Sequence, residues 1–320
     1  MPSSSVALLD EHRTLWPGRA VVFGASAHAA RLPAELLFVD AREHAHAGRG
    51  RLGLRWHEDA DVAIVQLPKG KRRRDFFFAQ AASVATRVVL VGAKSAGIKS
   101  AERALGRLGT VVGSAQGHKR RLLAVDTKAP ASFDLARWER RAQVGALEIV
   151  VLPGVFAESV LAQGQLDDGT ALLLDALPPC RGRILDLGCG AGPIGATLAA
   201  NGADVTLTDV DAFAVESARR TLAANGLKGT VVAGDRYEAV RGTFDLLVTN
   251  PPFHRGVGTE YATTEAIVRE APRYLRPGGE LWLVANRFLP WRRPLAQVFA
   301  DVSVLRDDGR FVVLRARSPR

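Results

Sequence analysis

RILDLGCGAGPIGATLAAN, residues 183–201, reads as strand, tight turn and helix. Ile184, Leu185 and Leu187 form an apolar run interrupted only by Asp186, and the apolar pattern resumes at helical spacing after a glycine cluster. Gly188, Gly190 and Gly192 allow positive φ and let a ligand approach the backbone without meeting a Cβ. A turn of this kind holds a nucleotide-like cofactor against a helix N-terminus, although an ordinary strand-to-helix turn also uses glycine. Gly190, Gly192 and Gly195 satisfy G-x-G-x-x-G as well, so the turn by itself leaves a dinucleotide open.

Two further features tip the reading. Asp186 stands two residues before the first glycine, and DLLVTNPPFH (residues 245–254) follows one strand-helix-strand passage later. Together they resemble the S-adenosylmethionine-dependent methyltransferases of the seven-stranded Rossmann-like kind. That cofactor carries no pyrophosphate, so a carboxylate beside the loop is tolerated. The next strand, DVTLTD (204–209), ends in an acid about 20 residues beyond the turn, where a carboxylate can accept both ribose hydroxyls. Asp209 is therefore the expected ribose ligand, Val210 the residue on the adenine face, and Asp211 the cap of the following helix; the two aspartates could exchange roles. Asp235 offers a carboxylate to the adenine amine, against the common alternative of a turn acid.

Asn250, Pro251, Pro252 and Phe253 close the fourth strand. Proline removes a backbone donor and fixes φ, so the strand stops and its last carbonyls point outward. An exocyclic amine on a planar base is a poor nucleophile, because its lone pair is delocalised into the ring, but it carries two N–H donors. If Asn250 Oδ1 and the Pro251 carbonyl each accept one, the lone pair is aimed at a sulfonium methyl, and positioning does most of the catalysis. Phe253 is expected to stack on the base, worth about 1–3 kcal/mol against the few needed to unstack it. The expected cofactor-binding residues are Asp186, Gly188, Gly190, Gly192, Asp209, Val210, Asp235 and Asn250; the expected catalytic ones are Asn250, Pro251 and Phe253.

Most of the chain resembles the small-subunit ribosomal RNA guanine-N2 methyltransferase family. The likeness rests on LPGVF (152–156), LDLGCGAG (185–192), TLAANG (221–226), NPPFH, PGGELWLVANRFLP (277–290), the closing GRFVVLRA, and VGAKSAGIKSAE (91–102) in the first half. NPPF alone also serves adenine-N6 methylation and, with tyrosine, glutamine-amide methylation; PGVF with NPPFH and ANRFLP is more specific. The resemblance implies methyl transfer to a guanosine N2 amine in small-subunit rRNA, and a first domain without a working cofactor site that helps bind RNA. The chain departs from the family pattern at Pro193 and in its Ala-rich N-terminus; the alternatives are another exocyclic amine (guanine N2 in large-subunit rRNA or tRNA, or adenine N6) and a non-catalytic RNA-binding protein with a methyltransferase fold.

The 320 residues, 47% hydrophobic, suffice for two domains, each burying its own core. No window approaches the ~20 apolar residues of a membrane span, so a soluble chain is expected; a cytosolic location and a monomeric state are expected with it. Cys180 and Cys189 read as reduced thiols, and His44 and His46 lack the partners a metal needs. The net charge of +10 is unevenly placed: residues 1–150 hold 24 Lys+Arg against 14 Asp+Glu, and the remainder 19 against 19. A basic half beside a neutral one suits a polyanion, with solubility as the plain alternative.

In that first half AVVFG (20–24), LLFVD (36–40), VAIVQL (62–67) and VVLVG (88–92) read as strands, alternating with amphipathic helices near 75–86 and 100–108. VAIVQLPKGK weakly echoes DLLVTNPPFH, so the expected fold is α/β: two tandem Rossmann-like methyltransferase domains, a degenerate copy over 1–140 and a catalytic seven-stranded one over 141–320. Lys69, Lys71, Arg72, Arg73 and Arg74, with Lys119, Arg120 and Arg121, are the expected RNA contacts, a solvated loop being the bland alternative. The triplet 76–78, all Phe, reads as helix core before base-stacking surface.

Overall fold

The computed structural model describes residues 4–128, 132–155, 158–161, 163–251 and 258–319, and it falls into two compact units, Met1–Glu139 and Arg140–Arg320. The first is built on β1 (Ala20–Phe23), β2 (Glu35–Phe38), β3 (Arg51–Leu52), β4 (Val62–Gln66), β5 (Arg87–Ala93), β6 (Gly109–Gly117) and β7 (Arg120–Thr127), in the order β3-β2-β1-β4-β5-β7-β6. A hairpin of β8 (Arg140–Val144) and β9 (Leu147–Val151) opens the second unit. There follow β10 (Arg183–Leu187), β11 (Asp204–Asp209), β12 (Thr230–Ala233), β13 (Phe244–Thr249), β14 (Leu275–Asn286), β15 (Phe299–Asp307) and β16 (Phe311–Pro319), ordered β12-β11-β10-β13-β14-β16-β15. The two sheets share one topology, parallel except for the last hairpin, and the doubly wound α/β expectation holds in both.

The central strands are short β-branched and leucine runs because both faces are covered. In the second sheet Leu185, Leu187, Leu247, Leu281 and Leu283 pack on one side, and Ile184, Leu246, Val248, Trp282 and Val284 on the other. The parallel register pairs Leu187 with Thr208 and with Thr249, so β10, β11 and β13 end level. The order reverses between β10 and β13, and the loops leaving those strand ends border the crevice where open α/β sheets bind ligands.

One local expectation changes. The helix after β4 begins at Lys71, not near 75, so Lys71 and Arg72–Arg74 form its first turn rather than a loop. Lys and Arg are good helix formers, and Gly70 at φ 87° supplies the break before them. The triplet 76–78 is core, Phe76 packing edge-on to Phe133 and Trp138. Trp291 is fully buried in the core of the second unit, and Arg287 pairs with Asp307.

Candidate active site

The glycine turn divides its labour. Gly188 (φ 70°) and Gly190 (φ 57°) both sit in the left-handed region, and a Cβ on either would project into open space. At Gly192 a Cβ would lie 3.1 Å from Leu207 and Ala218, and at Gly195 2.5 Å from Leu207, so these two let the helix Pro193–Ala200 and its neighbours approach the sheet. Gly188 and Gly190 thus form the open cradle, and Gly192 and Gly195 a packing contact.

Asp209 borders that cradle. Its Oδ2 accepts from Gly190 N at 3.0 Å and its Oδ1 from Asp211 N at 2.9 Å, while Asp211 caps the helix Ala212–Ala224 through Phe213 N at 3.0 Å. Burial pushes the Asp209 carboxyl up to about 6, with Asp211 adding like-charge repulsion and the Asp211 and Gly190 N–H groups opposing it. Asp186 is fully buried; Oδ2 accepts from Gly195 N at 2.9 Å, and Oδ1 has no hydrogen-bond partner among the described residues. Burial raises its pKa to about 7, against the Gly195 hydrogen bond. Val210 is half-buried beside Asp209, and Asp235 pairs with Arg236 at 3.4 Å. Burial also lifts the Cys189 thiol well above its usual range, which makes it a poor nucleophile.

An open, partly enclosed cradle, a carboxylate at the end of β11 and an unsatisfied buried oxygen below it match the needs of a nucleoside bearing a cationic sulfur, so the residues present fit S-adenosylmethionine.

Asn250 leaves β13 next to Gly188, since Thr249 is paired with Leu187 and donates to its carbonyl at 2.8 Å. Its Nδ2 donates to Asp167 Oδ1 and to Thr170 Oγ1, both at 2.9 Å. Asp167 is the N-cap of the helix Asp168–Ala176, accepting from Thr170 N. A cleft of about 400 Å³ opens here, lined by Asp167, Asp168, Asn250, Pro251, Asn286, Arg310 and Phe311 among others. Arg310 bonds Asp168 at 2.6 Å. Asp167, Thr170, Arg310 and Phe311 escape sequence reasoning; the acid pair 167–168 shows only as a helix start, and 310–311 only as the beginning of a strand. Phe253 lies outside the described residues.

The first unit has the same edge with different contents. Phe23 pairs with Leu37 and Val65 as Leu187 pairs with Thr208 and Thr249, so Gly24, Phe38 and Gln66 take the places of Gly188, Asp209 and Asn250. Phe38 is fully buried. Gln66 Oε1 accepts from Ser26 N at 2.9 Å and Glu43 Oε2 from Ala27 N at 2.6 Å, and the Phe77 ring lies 3.4 Å from where a Gly24 Cβ would be. The turn's donors and its space are filled by the domain's own side chains.

Of the basic residues singled out, Arg72 donates to the Trp138 carbonyl, Arg74 pairs with Asp75, Arg120 bonds Ser4 and Arg121 pairs with Glu102; Arg73 is half-buried. Lys69, Lys71 and Lys119 are exposed. Among the described residues no His, Cys, Asp or Glu group could hold a metal, and no helix is long and apolar enough to cross a membrane.

The methyltransferase small domain family matches residues 146–315, and its N-terminal companion residues 37–141. Ribosomal RNA small subunit methyltransferase C from Pseudomonas entomophila is 40% identical over 296 residues, covering 85% of this chain and 87% of the relative. The chain belongs to the small-subunit rRNA guanine-N2 methyltransferase family. Another member, the same-named protein of Haemophilus influenzae (strain PittGG), is 37% identical over 81% of this chain and 80% of its own. A solved T. thermophilus 16S rRNA N2 methyltransferase, in complex with AdoMet and guanosine, superposes on 98% of this chain and 91% of its own with a TM-score of 0.79 at 29% identity. Family membership agrees with two tandem Rossmann-like units.

Proposed function

We propose that this protein methylates the N2 amine of a guanosine in small-subunit ribosomal RNA, using S-adenosylmethionine. The observation that carries the chemistry is Asn250, held at the end of β13 with its amide nitrogen engaged and Oδ1 without a hydrogen bond among the described residues, beside the open cradle at Gly188 and Gly190. Bound S-adenosylmethionine supplies an electrophilic methyl on a sulfonium sulfur. Gly188, Gly190 and Asp209, with Val210 and Asp235 at the adenine end, would hold it; Asp186 sets the turn through Gly195 and offers its second oxygen from below. Asn250 Oδ1 and the Pro251 carbonyl accept from the guanine amine and orient it, while Phe253 offers an aromatic face. No strong base is required, because the amine becomes acidic only as the new bond forms.

The first unit is proposed to hold RNA phosphates. Lys69 and Lys71 follow β4, Lys94 and Lys99 follow β5, and Lys119 sits in the β6–β7 turn, where its carbonyl accepts from Lys94 N. These are five of the chain's seven lysines, all exposed, on the one edge where the parallel strands end. The helix Lys71–Val84 begins at that edge, and its N-terminal dipole opposes the cations in its first turn, a cost of about 0.3–1 kcal/mol each that a phosphate would relieve. The lysines replace Arg72, Arg74, Arg120 and Arg121, which bond within the unit, as the main candidates. The protein is proposed to act as a cytoplasmic monomer.

The test is to incubate undermethylated small subunits with labelled cofactor and map the product by nuclease digestion and mass spectrometry. N2-methylguanosine at one small-subunit position is expected; label on adenine or on no RNA would overturn the reading. Calorimetry should also detect S-adenosylmethionine binding that S-adenosylhomocysteine competes away.

A further inference from the structure

An asparagine that must present an acceptor to its substrate has a weakness: its oxygen and nitrogen branches are nearly the same size, and a half-turn about the last side-chain bond would replace the acceptor with a donor. Two donors on the substrate amine would then face two donors on the protein. The surroundings of Asn250 bear directly on this. Nδ2 is 2.9 Å from Asp167 Oδ1 and 2.9 Å from Thr170 Oγ1. A carboxylate has no proton to give, so the Asn250 branch facing Asp167 has to be the NH₂ group. The Thr170 hydroxyl takes the second N–H, and both amide protons are then used.

We infer that Asp167 and Thr170 are positioning residues that fix the rotation of the Asn250 amide, so that Oδ1 is the branch offered to the substrate amine. Their own rigidity comes from the helix they begin. The same Asp167 Oδ1 that meets Asn250 also accepts from Thr170 N at 3.1 Å as the N-cap, and Thr170 is 3% exposed. Neither partner can turn away without uncapping the helix Asp168–Ala176 or burying an unpaired hydroxyl. The helix start and the acceptor strand are thereby tied across 83 positions of sequence. The inference rests on the role given above to Asn250.

The experiment separates capping from positioning. Ser is a good N-cap but too short to cap the helix and also reach Asn250, so Asp167→Ser should keep the helix and release the amide. Asp167→Asn keeps an oxygen pinned by Thr170 N and still able to accept from Asn250. Steady-state kinetics on undermethylated subunits should show kcat lowered roughly tenfold in Asp167→Ser and in Thr170→Val, the size expected for one lost hydrogen bond. The double variant should fall further. Asp167→Asn and Thr170→Ser should recover to within about threefold of the parent. KM for S-adenosylmethionine and the melting temperature should be nearly unchanged throughout. Equal kcat for Asp167→Ser and Asp167→Asn, or a joint loss of kcat, cofactor KM and melting temperature, would overturn the inference. Asn250→Ala, assayed alongside, distinguishes the two levels: if it keeps full activity the Asn250 reading itself fails, and if it alone is inactive only the positioning role does.

Discussion

The two sheets have one strand order and one arrangement of strand ends, yet only one of them leaves those ends open. In the second unit Gly188 and Gly190 face empty space and the carboxylate of Asp209 stands at the next strand end. In the first the matching places hold Gly24 against Phe77, Ser26 bonded to Gln66, and the buried ring of Phe38. A cofactor site in this architecture is therefore a matter of what a few side chains leave unfilled. Filling it gives a more self-satisfied domain, and the edge so released is free to carry charge.

The sharpest way to break this comparison is to remove the acceptor from each unit. Asn250→Ala should lower kcat by about a hundredfold or more while leaving cofactor affinity nearly intact, the scale seen when one oriented dipole is deleted from an active site. Gln66→Ala, its counterpart, should leave turnover at the parent level, since Gln66 bonds only its own turn. Parallel loss in both variants, read by single-turnover assays, would mean that the first unit retains a catalytic part.

Reversing Lys69, Lys71 and Lys119 to Glu should weaken RNA binding by about 10- to 100-fold near physiological salt and reduce the slope of log affinity against log salt by about three. Fluorescence anisotropy across a salt series checks it; an unchanged slope would remove RNA from this edge. Gly190→Ser places in the second turn the residue that the first has at the matching position, at a φ of 57° that L side chains resist, with its Cβ in the cradle. S-adenosylmethionine affinity should fall about tenfold by calorimetry.

The smallest effect concerns pH. The Asp186 carboxyl is raised by burial from an ordinary 3.8 to about 7, and its counterpart is the apolar Val22. A raised folded-state pKa means that the stabilising proton is held below about pH 4 in both states and is lost from the folded state as pH rises through about 7. Cofactor-free protein should accordingly lose stability over that window. Asp186→Asn should gain on the parent by on the order of 1 kcal/mol, about 2–4 °C in Tm for a unit of this size, at the upper end and not at the lower. Melting curves that stay parallel from pH 4 to 8 would contradict the burial of a charge there.

Much of this is legible in the sequence. The glycine turn announces itself because only glycine takes positive φ cheaply, the strands because runs buried on both faces need apolar residues at every position, and NPPF because proline stops a strand. The basic run is visible as charge, but its division is not: Arg72 and Arg120 bond the Trp138 carbonyl and Ser4, partners far along the chain, while Lys69, Lys71 and Lys119 stay exposed. The likeness of the two units is hinted at by VAIVQLPKGK, yet the match of Phe38 to Asp209 appears only in the register, because the connection after the first turn is shorter.

The amino-acid sequence is enough for the class of each unit, the glycine turn after β10 and the strand that stops at Asn250, since all three are written in local backbone chemistry and periodicity. The packed fold settles which glycines face open space, which cations remain exposed, and that Asp167 and Thr170 hold the amide of Asn250. Those outcomes depend on atoms brought together by sheet register and helix packing, and no local pattern encodes a hydrogen bond between residues so far apart.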